Sequence, residues 1–552
     1  MHEGKTLLAP TVNMSLAQTS VAQLLGLHEY NGWISHNSLR AVGKQSVLSN
    51  TASRKHASLP KLPLAGDYVG AMPIAPMSWD PMSTDVRNNK PQPVFSSRAV
   101  LMNFLVLVLC SQFAFAVLAM KGALLPQMLE LWNISKTQFG MLMSIYGVVH
   151  NIFYVALAWF QDRFSAKVLI PVNMVMGGIT TFFLGQTTDF ATLCFLFVML
   201  SLWCEGAFWP AVLSAVRKTT ADSNQGKIFG LLEGGRGCVE LLQNSVTVAL
   251  YVYMGYSILG LQLAFMMNAV VMVILGVVAW FMLPSQTLLK TDNDTRQANK
   301  EVLAGMKLTL RLPEVWLAGA VGFCVYFIYT AMPYFVTYLD EMYVLPALAI
   351  SIFGIASTSG GRIAVAFPSG FIAGRYFGGA VGGLGSGFAL TLVLGLAMVG
   401  LTLVQASSWV AMACLMGIAF AIFFMRALYF APYGEMGLPQ RFSGSVIAIA
   451  SFIVYLPSSF AYLLWALILD GNPGADGYLQ MFFAISVVSI VGLLLARALR
   501  RRMRSGTAQR VAQRVAQLDA TLGLLGDEKK LSDLIDQANN KNGWAPRTRQ
   551  PW

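Results

Sequence analysis

The sequence predicts an all-α membrane protein, with twelve transmembrane helices arranged as two pseudo-symmetric six-helix bundles. Three observations carry that expectation. Of 552 residues, 56% are hydrophobic and only 12% charged, whereas ordinary soluble domains carry about a quarter charged residues. The apolar residues fall in separate blocks, each near the roughly 20 residues that a helix needs to cross a bilayer. One long polar connection divides those blocks into two equal sets.

Residues 1–95 are polar and rich in Ser, Pro, Asn and Gly without periodicity, which predicts a disordered cytoplasmic tail. Apolar spans then follow near 99–125, 137–160, 167–187, 190–217, 226–254 and 257–283. These form a first bundle over 96–283. The connection 284–313 carries Lys290, Arg296, Lys300, Lys307 and Arg311. A second bundle over 314–500 holds spans near 314–339, 345–373, 380–403, 407–433, 443–468 and 476–498. The tail 501–552 opens on a basic cluster. It continues with Val511, Val515, Leu518, Leu522 and Leu525 at helical spacing, expected as an amphipathic helix on the membrane surface or against a partner.

The net charge of +12 is a topology signal rather than a nucleic-acid footprint. With both tails cytoplasmic, the inner loops and flanks hold Arg163, Lys167, Arg217, Lys218, Lys227, Arg375, Arg441 and Arg500 to Arg502. The outer side holds Glu130, Asp340, Glu341, Asp470 and Asp476 beside Lys121 and Lys136. Basic residues concentrate on the cytoplasmic side of membrane proteins, so N-in and C-in is expected, in the cell membrane or an organelle membrane. The six cysteines lie in apolar blocks without metal or disulfide spacing. No metal, cofactor or catalytic constellation is expected.

The halves also repeat in sequence. Span two ends in Asp162-Arg163 and span eight in Gly374-Arg375; Gly226 and Gly444 open spans five and eleven; Pro126 and Pro333 fall late in spans one and seven. Duplicated halves with a site at their interface are the plan of secondary transporters. Aligning Arg163 with Arg375 places Arg362, about 18 Å from the inner end of span eight, where span two has His150.

Charges at membrane depth are expensive and usually face a cavity or a partner. Arg362 and His150 are therefore candidates for an anion site shared by both halves; the alternative is that a buried Glu neutralises Arg362. Glu233, Arg236 and Glu240 share one helical face of span five. Arg236 is the substrate candidate among them, because a guanidinium grips anionic oxygens in a bidentate way. Glu240 reads better as a rung of a self-compensating ladder. Glu205, among Trp203, Phe208 and Trp209, is the first candidate for proton coupling and Glu233 the second; the alternative makes Glu205 a fixed partner of Arg236 or Arg426. Arg426 is open to substrate and gating roles. Tyr146, Tyr326, Tyr329 and Tyr455 are candidates to line the cavity and hydrogen-bond a polyol or sugar, or to serve as packing.

The turn after span two, with Asp162, Arg163 and Lys167, resembles the signature G-x-L-A-D-R-x-G-R-[RK] of the major facilitator superfamily, with Ala158 and Ser165 at two glycine positions. Three stretches resemble the superfamily's organophosphate/phosphate-antiporter-like branch and its bacterial relatives: Ser135-Lys-Thr-Gln138-Phe-Gly140, Phe229-Gly230-Leu-Leu-Glu233-Gly-Gly-Arg236-Gly237, and Tyr429-Phe-Ala-Pro432 with Glu435. The resemblance covers about 99–500. It implies the major facilitator fold, a monomer, and a small-molecule substrate moved by alternating access. It makes Asp162, Arg163, Arg217, Arg375 and Glu435 a cytoplasmic gate. It also suggests Lys121 as a basic substrate ligand, against the alternative that Lys121 snorkels to the outer interface.

Four basic groups at membrane depth plus His150 outnumber three acids, so the expected substrate is a small organic anion. Phosphorylated, sulfonated and carboxylated metabolites all fit, driven by exchange against inorganic phosphate or by proton symport. The alternatives are a neutral or zwitterionic solute, and a metabolite sensor signalling through its tails. No nucleic-acid partner is expected.

Overall fold

The computed structural model describes residues 94–156, 165–206, 208–217, 219, 225–284, 305–307, 309–343, 345–366, 368–436 and 443–521. The N-terminal tail to residue 93, most of the central connection, Asp162, Arg163 and the chain after Thr521 lie outside them.

Helices stand at all twelve expected spans. Span one is Arg98–Phe113 followed by Ala116–Trp132, bent by 42° between them. Ser97 starts it, its hydroxyl accepting from the Val100 N–H at 3.3 Å, and Asn133 ends it in the left-handed conformation. Spans two and three are Lys136–Ala156 and Ala166–Leu184. Span four runs Phe190–Ser201, a π-helical turn Leu202–Gly206, then Phe208–Arg217. Spans five and six are Gln225–Tyr253 and Ile258–Met282.

In the second half, span seven is Pro313–Tyr329 plus Pro333–Met342. Span eight joins Ala347–Ile355 to Ser369–Tyr376 through two π-helical turns, Ala356–Gly360 and Arg362–Ala366. Span nine is Ala380–Leu403, and span ten is Ser408–Leu428 with Ala431–Glu435. Span eleven is Ser443–Tyr455, Leu456–Ser459 and Ala461–Gly471, and span twelve is Ala475–Arg504. Among the described residues nine helices are long and apolar enough to cross a membrane, ten with the bent pair of span one. Spans two and five fall short of that measure because His150, Asn151, Glu233, Arg236 and Glu240 interrupt their apolar runs.

The halves are built alike. Span three packs along span six, and span nine along span twelve. Large apolar side chains such as Phe195, Leu242, Phe281 and Leu403 point outward and stay exposed, as lipid-facing residues do. Between the halves, span two meets span eleven, span five meets span eight, and span one meets spans seven and eight.

At the end expected to face outside, the halves are fastened together. Lys136 Nζ lies 2.6 Å from Glu341 Oε1. The Thr137 N–H donates to Asp470 Oδ2 at 2.6 Å. Deeper, Asn151 Nδ2 donates to Ser459 Oγ at 2.9 Å. Gly147 sits directly against the Ser458 carbonyl, where any Cβ would collide with backbone.

The C-terminal amphipathic helix, Thr507–Thr521, is docked on its own chain rather than left to the membrane surface or a partner. Gly506, at φ +86°, reverses the chain after span twelve. Val511 and Val515 are buried. Arg510 Nη2 pairs with the buried Glu314 at 3.0 Å, at the start of span seven, and Arg514 donates to the Arg311 carbonyl. Val511 and Val515 are covered by the same chain, and Arg510 reaches the buried Glu314; Leu522 and Leu525 of the expected stripe lie outside the described residues.

Two outcomes test this arrangement. Gly147→Val is expected to force spans two and eleven apart and destabilise the protein by about 1–3 kcal/mol, the range for overpacking, read as a lower melting temperature in detergent. Val511→Asp is expected to release the C-terminal helix, raising amide exchange across 507–516 roughly tenfold or more while the spans keep their protection.

Candidate functional site

The candidate site lies where the interrupted helices meet. π-helical turns are enriched at functional sites because they break the regular ladder and re-aim side chains. Here such turns carry Glu205 in span four and begin at Arg362 in span eight.

In the first half, His150 Nδ1 stands 3.3 Å from Glu205 Oε2. Tyr146 donates its hydroxyl to Glu205 Oε1 at 3.3 Å. The His150 ring meets Tyr455 of the second half edge-on, with centroids 5.8 Å apart. Glu205 is therefore a partner of His150 and Tyr146, not of Arg236 or Arg426. His150 and Arg362, expected as a facing cationic pair, each take a separate carboxylate.

Span five divides its charges. Arg236 Nη1 pairs with Glu233 Oε1 at 2.9 Å. Its guanidinium lies over the rings of Trp209 and Phe115, at 4.6 and 5.3 Å. Glu240 leaves this group and crosses to the second half, where its Oε2 lies 2.5 Å from Arg362 Nη1. Gln112 Oε1 faces the same nitrogen at 3.4 Å. The continuous Glu233-Arg236-Glu240 ladder is thus corrected to one pair within span five and one between the halves. Span eight approaches closely enough to offer Glu240 a guanidinium of its own. The alternative in which a buried Glu neutralises Arg362 is the observed one.

Two cations have no carboxylate within ion-pair distance among the described residues. Lys121 is buried, donating to the Leu118 carbonyl at 2.8 Å and lying 5.7 Å from the centre of the Tyr462 ring. The outer snorkelling position is corrected: the ammonium is buried and bonded to the backbone of its own helix. Arg426 stacks its guanidinium 3.8 Å from the centre of the Tyr329 ring, with Tyr326 and Phe423 each at 5.7 Å. Its Nη1 is buried without a hydrogen-bond partner. The Phe423 ring beside Arg426 also lies against Gly361, the residue before Arg362. Tyr455 bonds the Tyr429 hydroxyl at 3.3 Å and completes an aromatic wall in the second half.

Of the gate candidates, Glu435 and Arg375 have described side chains, and the two form no ion pair with each other among the described residues. Glu435 accepts from the Ala380 N–H at 3.3 Å, capping span nine. The Arg375 side chain is exposed, with no ion pair among the described residues. Asp162, Arg163 and the Arg217 side chain lie outside those described. Gln112 and Tyr462 were missed by sequence reading. A neutral amide or a tyrosine within an apolar run carries no signal until a distant span brings a charge beside it.

A bundle of two like halves, with charged side chains gathered between them, defines a polytopic membrane transporter rather than an enzyme. The profile of the Major Facilitator Superfamily matches residues 105–462, and the chain belongs to that superfamily of secondary transporters. It is 24% identical over 419 residues to the inner membrane protein YihN of Escherichia coli K12, covering 72% of this chain and 95% of that protein. To the inner membrane protein YqcE of the same strain it is 26% identical over 384 residues, covering 68% and 89%. Among solved structures, a bacterial homologue of the human lysosomal transporter Spinster in an inward-facing, unoccupied conformation aligns with a TM-score of 0.58 at 13% identity. That alignment covers 75% of this chain and 99% of that one. The nucleoside transporter NupG aligns with a TM-score of 0.52 at 13% identity, covering 72% and 99%. These structures share the fold.

Arg362→Gln is expected to strand Glu240 in a low-dielectric interface and destabilise the protein by about 3–5 kcal/mol, as breaking a buried pair does. The double variant Arg362→Gln/Glu240→Gln is expected to recover much of that loss. A double-mutant cycle on melting free energies checks both.

Proposed function

We propose that this transporter moves a small organic anion, phosphorylated, sulfonated or carboxylated, by alternating access between its two halves. The observation that carries the reading is the buried excess of positive charge. Arg236 and Arg362 are paired, but Lys121 and Arg426 are not, and they come from opposite halves. Burying unpaired cations costs several kcal/mol each, and a bound anion offsets that cost. Arg426 presents an unused N–H edge, the geometry suited to phosphate or carboxylate oxygens. The resemblance to the organophosphate/phosphate-antiporter-like branch points the same way.

In this reading Arg426, Lys121 and Arg362 hold the anion, and Tyr329 and Tyr455 bound the cavity. Arg236, held on Glu233, backs the site from span five. His150 belongs with Glu205 in a titratable group beside the site. Proton symport through Glu205 or Glu233 and exchange against inorganic phosphate are the two coupling modes that suit it. Asp162, Arg163, Arg217, Arg375 and Glu435 would close the cytoplasmic end in the opposite conformation, because the outer end is the fastened one here. Both tails face the cytoplasm, and the two E. coli inner membrane relatives favour the cell membrane. The two internal ion pairs favour one second reading, a zwitterionic solute, in which only Arg426 or Lys121 meets substrate.

The test is ligand-induced thermal stabilisation of the purified protein with matched anionic and neutral metabolites. An anion at 100 times its Kd is expected to stabilise by about 2.7 kcal/mol, and Arg426→Gln to abolish the effect. Stabilisation by a zwitterion or a neutral solute that persists in Arg426→Gln would overturn the anion reading.

A further inference from the structure

We infer that Glu240 is a built-in counter-anion: it holds Arg362 across the two halves when the site is empty, and a bound anion displaces it, untying the halves at the membrane centre. The inference rests on the anion reading above and adds to it a residue that links site occupancy to movement.

Two features of the pair support displacement. The contact is single-point, since Glu240 Oε2 engages only Nη1 of Arg362, at 2.5 Å. Nε and Nη2 of Arg362 make no hydrogen bond among the described residues. A phosphate, sulfonate or carboxylate that engages two guanidinium nitrogens forms the stronger, bidentate contact. The pair also joins the halves where they touch. Gly237, one turn before Glu240, lets span eight lie close: a Cβ there would sit 3.4 Å from Cγ and Cδ of Arg362 and 3.0 Å from Ile363.

The physical logic is charge neutrality at low dielectric. An empty site with Arg362 unpaired would bury a bare cation at the interface, and Glu240 prevents that. When an anion takes Arg362, the contact with Glu240 is given up and the tie between spans five and eight is lost.

The test uses the full chain in detergent, with inorganic phosphate, methyl phosphate and methanesulfonate as probes. Spin labels are placed at Tyr253→Cys and Leu403→Cys, exposed outer ends of the two halves, in a background with the six native cysteines replaced by alanine. Glu240→Gln removes the competitor. It is expected to bind at least tenfold tighter any of the three probes that binds the wild type. Without ligand it is expected to shift the label distance to longer values. Glu240→Asp, which shortens the side chain but keeps its charge and guards against a misfolded Gln variant, is expected to fall between. A probe that binds wild type but binds Glu240→Gln and Glu240→Asp no more tightly would overturn the inference while leaving the anion site standing. If none of the three binds wild type, the anion reading loses its support separately. The ligand-free distances then decide: an unchanged distribution in both variants overturns the tie between the halves.

Discussion

Everything in this structure turns on placing charge where water is absent. A charge at bilayer depth costs a few kcal/mol even on lenient scales, yet the core between the two halves holds Lys121, His150, Glu205, Arg236, Glu240, Arg362 and Arg426. The fold accommodates most of them by giving them an oppositely charged or polar neighbour. His150 has Glu205 and Tyr146, Arg236 has Glu233 and two aromatic faces, and Arg362 has Glu240. What remains, an ammonium on one half and a stacked guanidinium on the other, is the chemical statement of the site.

Helix irregularity serves that placement. An unbroken span four would have no π turn at Glu205, and span eight carries two in succession around Arg362. Span one is bent by 42° and holds Lys121 buried beyond the bend. These breaks cost backbone regularity, and surrounding spans restore the lost packing, as they do for irregular helices elsewhere in membranes. The exposed apolar residues on the far faces of the same helices keep the bundle in lipid.

The two ends of the molecule are held by different means. The outer end uses contacts between the halves: Lys136 to Glu341, Thr137 to Asp470, and Gly147 against Ser458. At the other end, the described contacts of Glu435, Arg500, Arg502 and Arg510 stay within the second half. The fastened end is the one expected to face outside, and the second half carries its own brace at the start of span seven.

Composition, apolar block length and the distribution of basic residues determined the class, the number of spans and the division into halves, because bilayer thickness and the cost of unpaired backbone leave helices little choice. The inventory of buried charges was equally legible, since a charge inside an apolar run stands out without any fold. Pairing was not. Glu240 lies one turn from Arg236 in sequence but answers to Arg362, 122 residues away. Glu205 answers to His150, and Arg510 of the C-terminal helix answers to Glu314. Helical periodicity reports only neighbours on one helix, whereas which spans cross, at what depth and in which rotation is decided by the packing of all of them together.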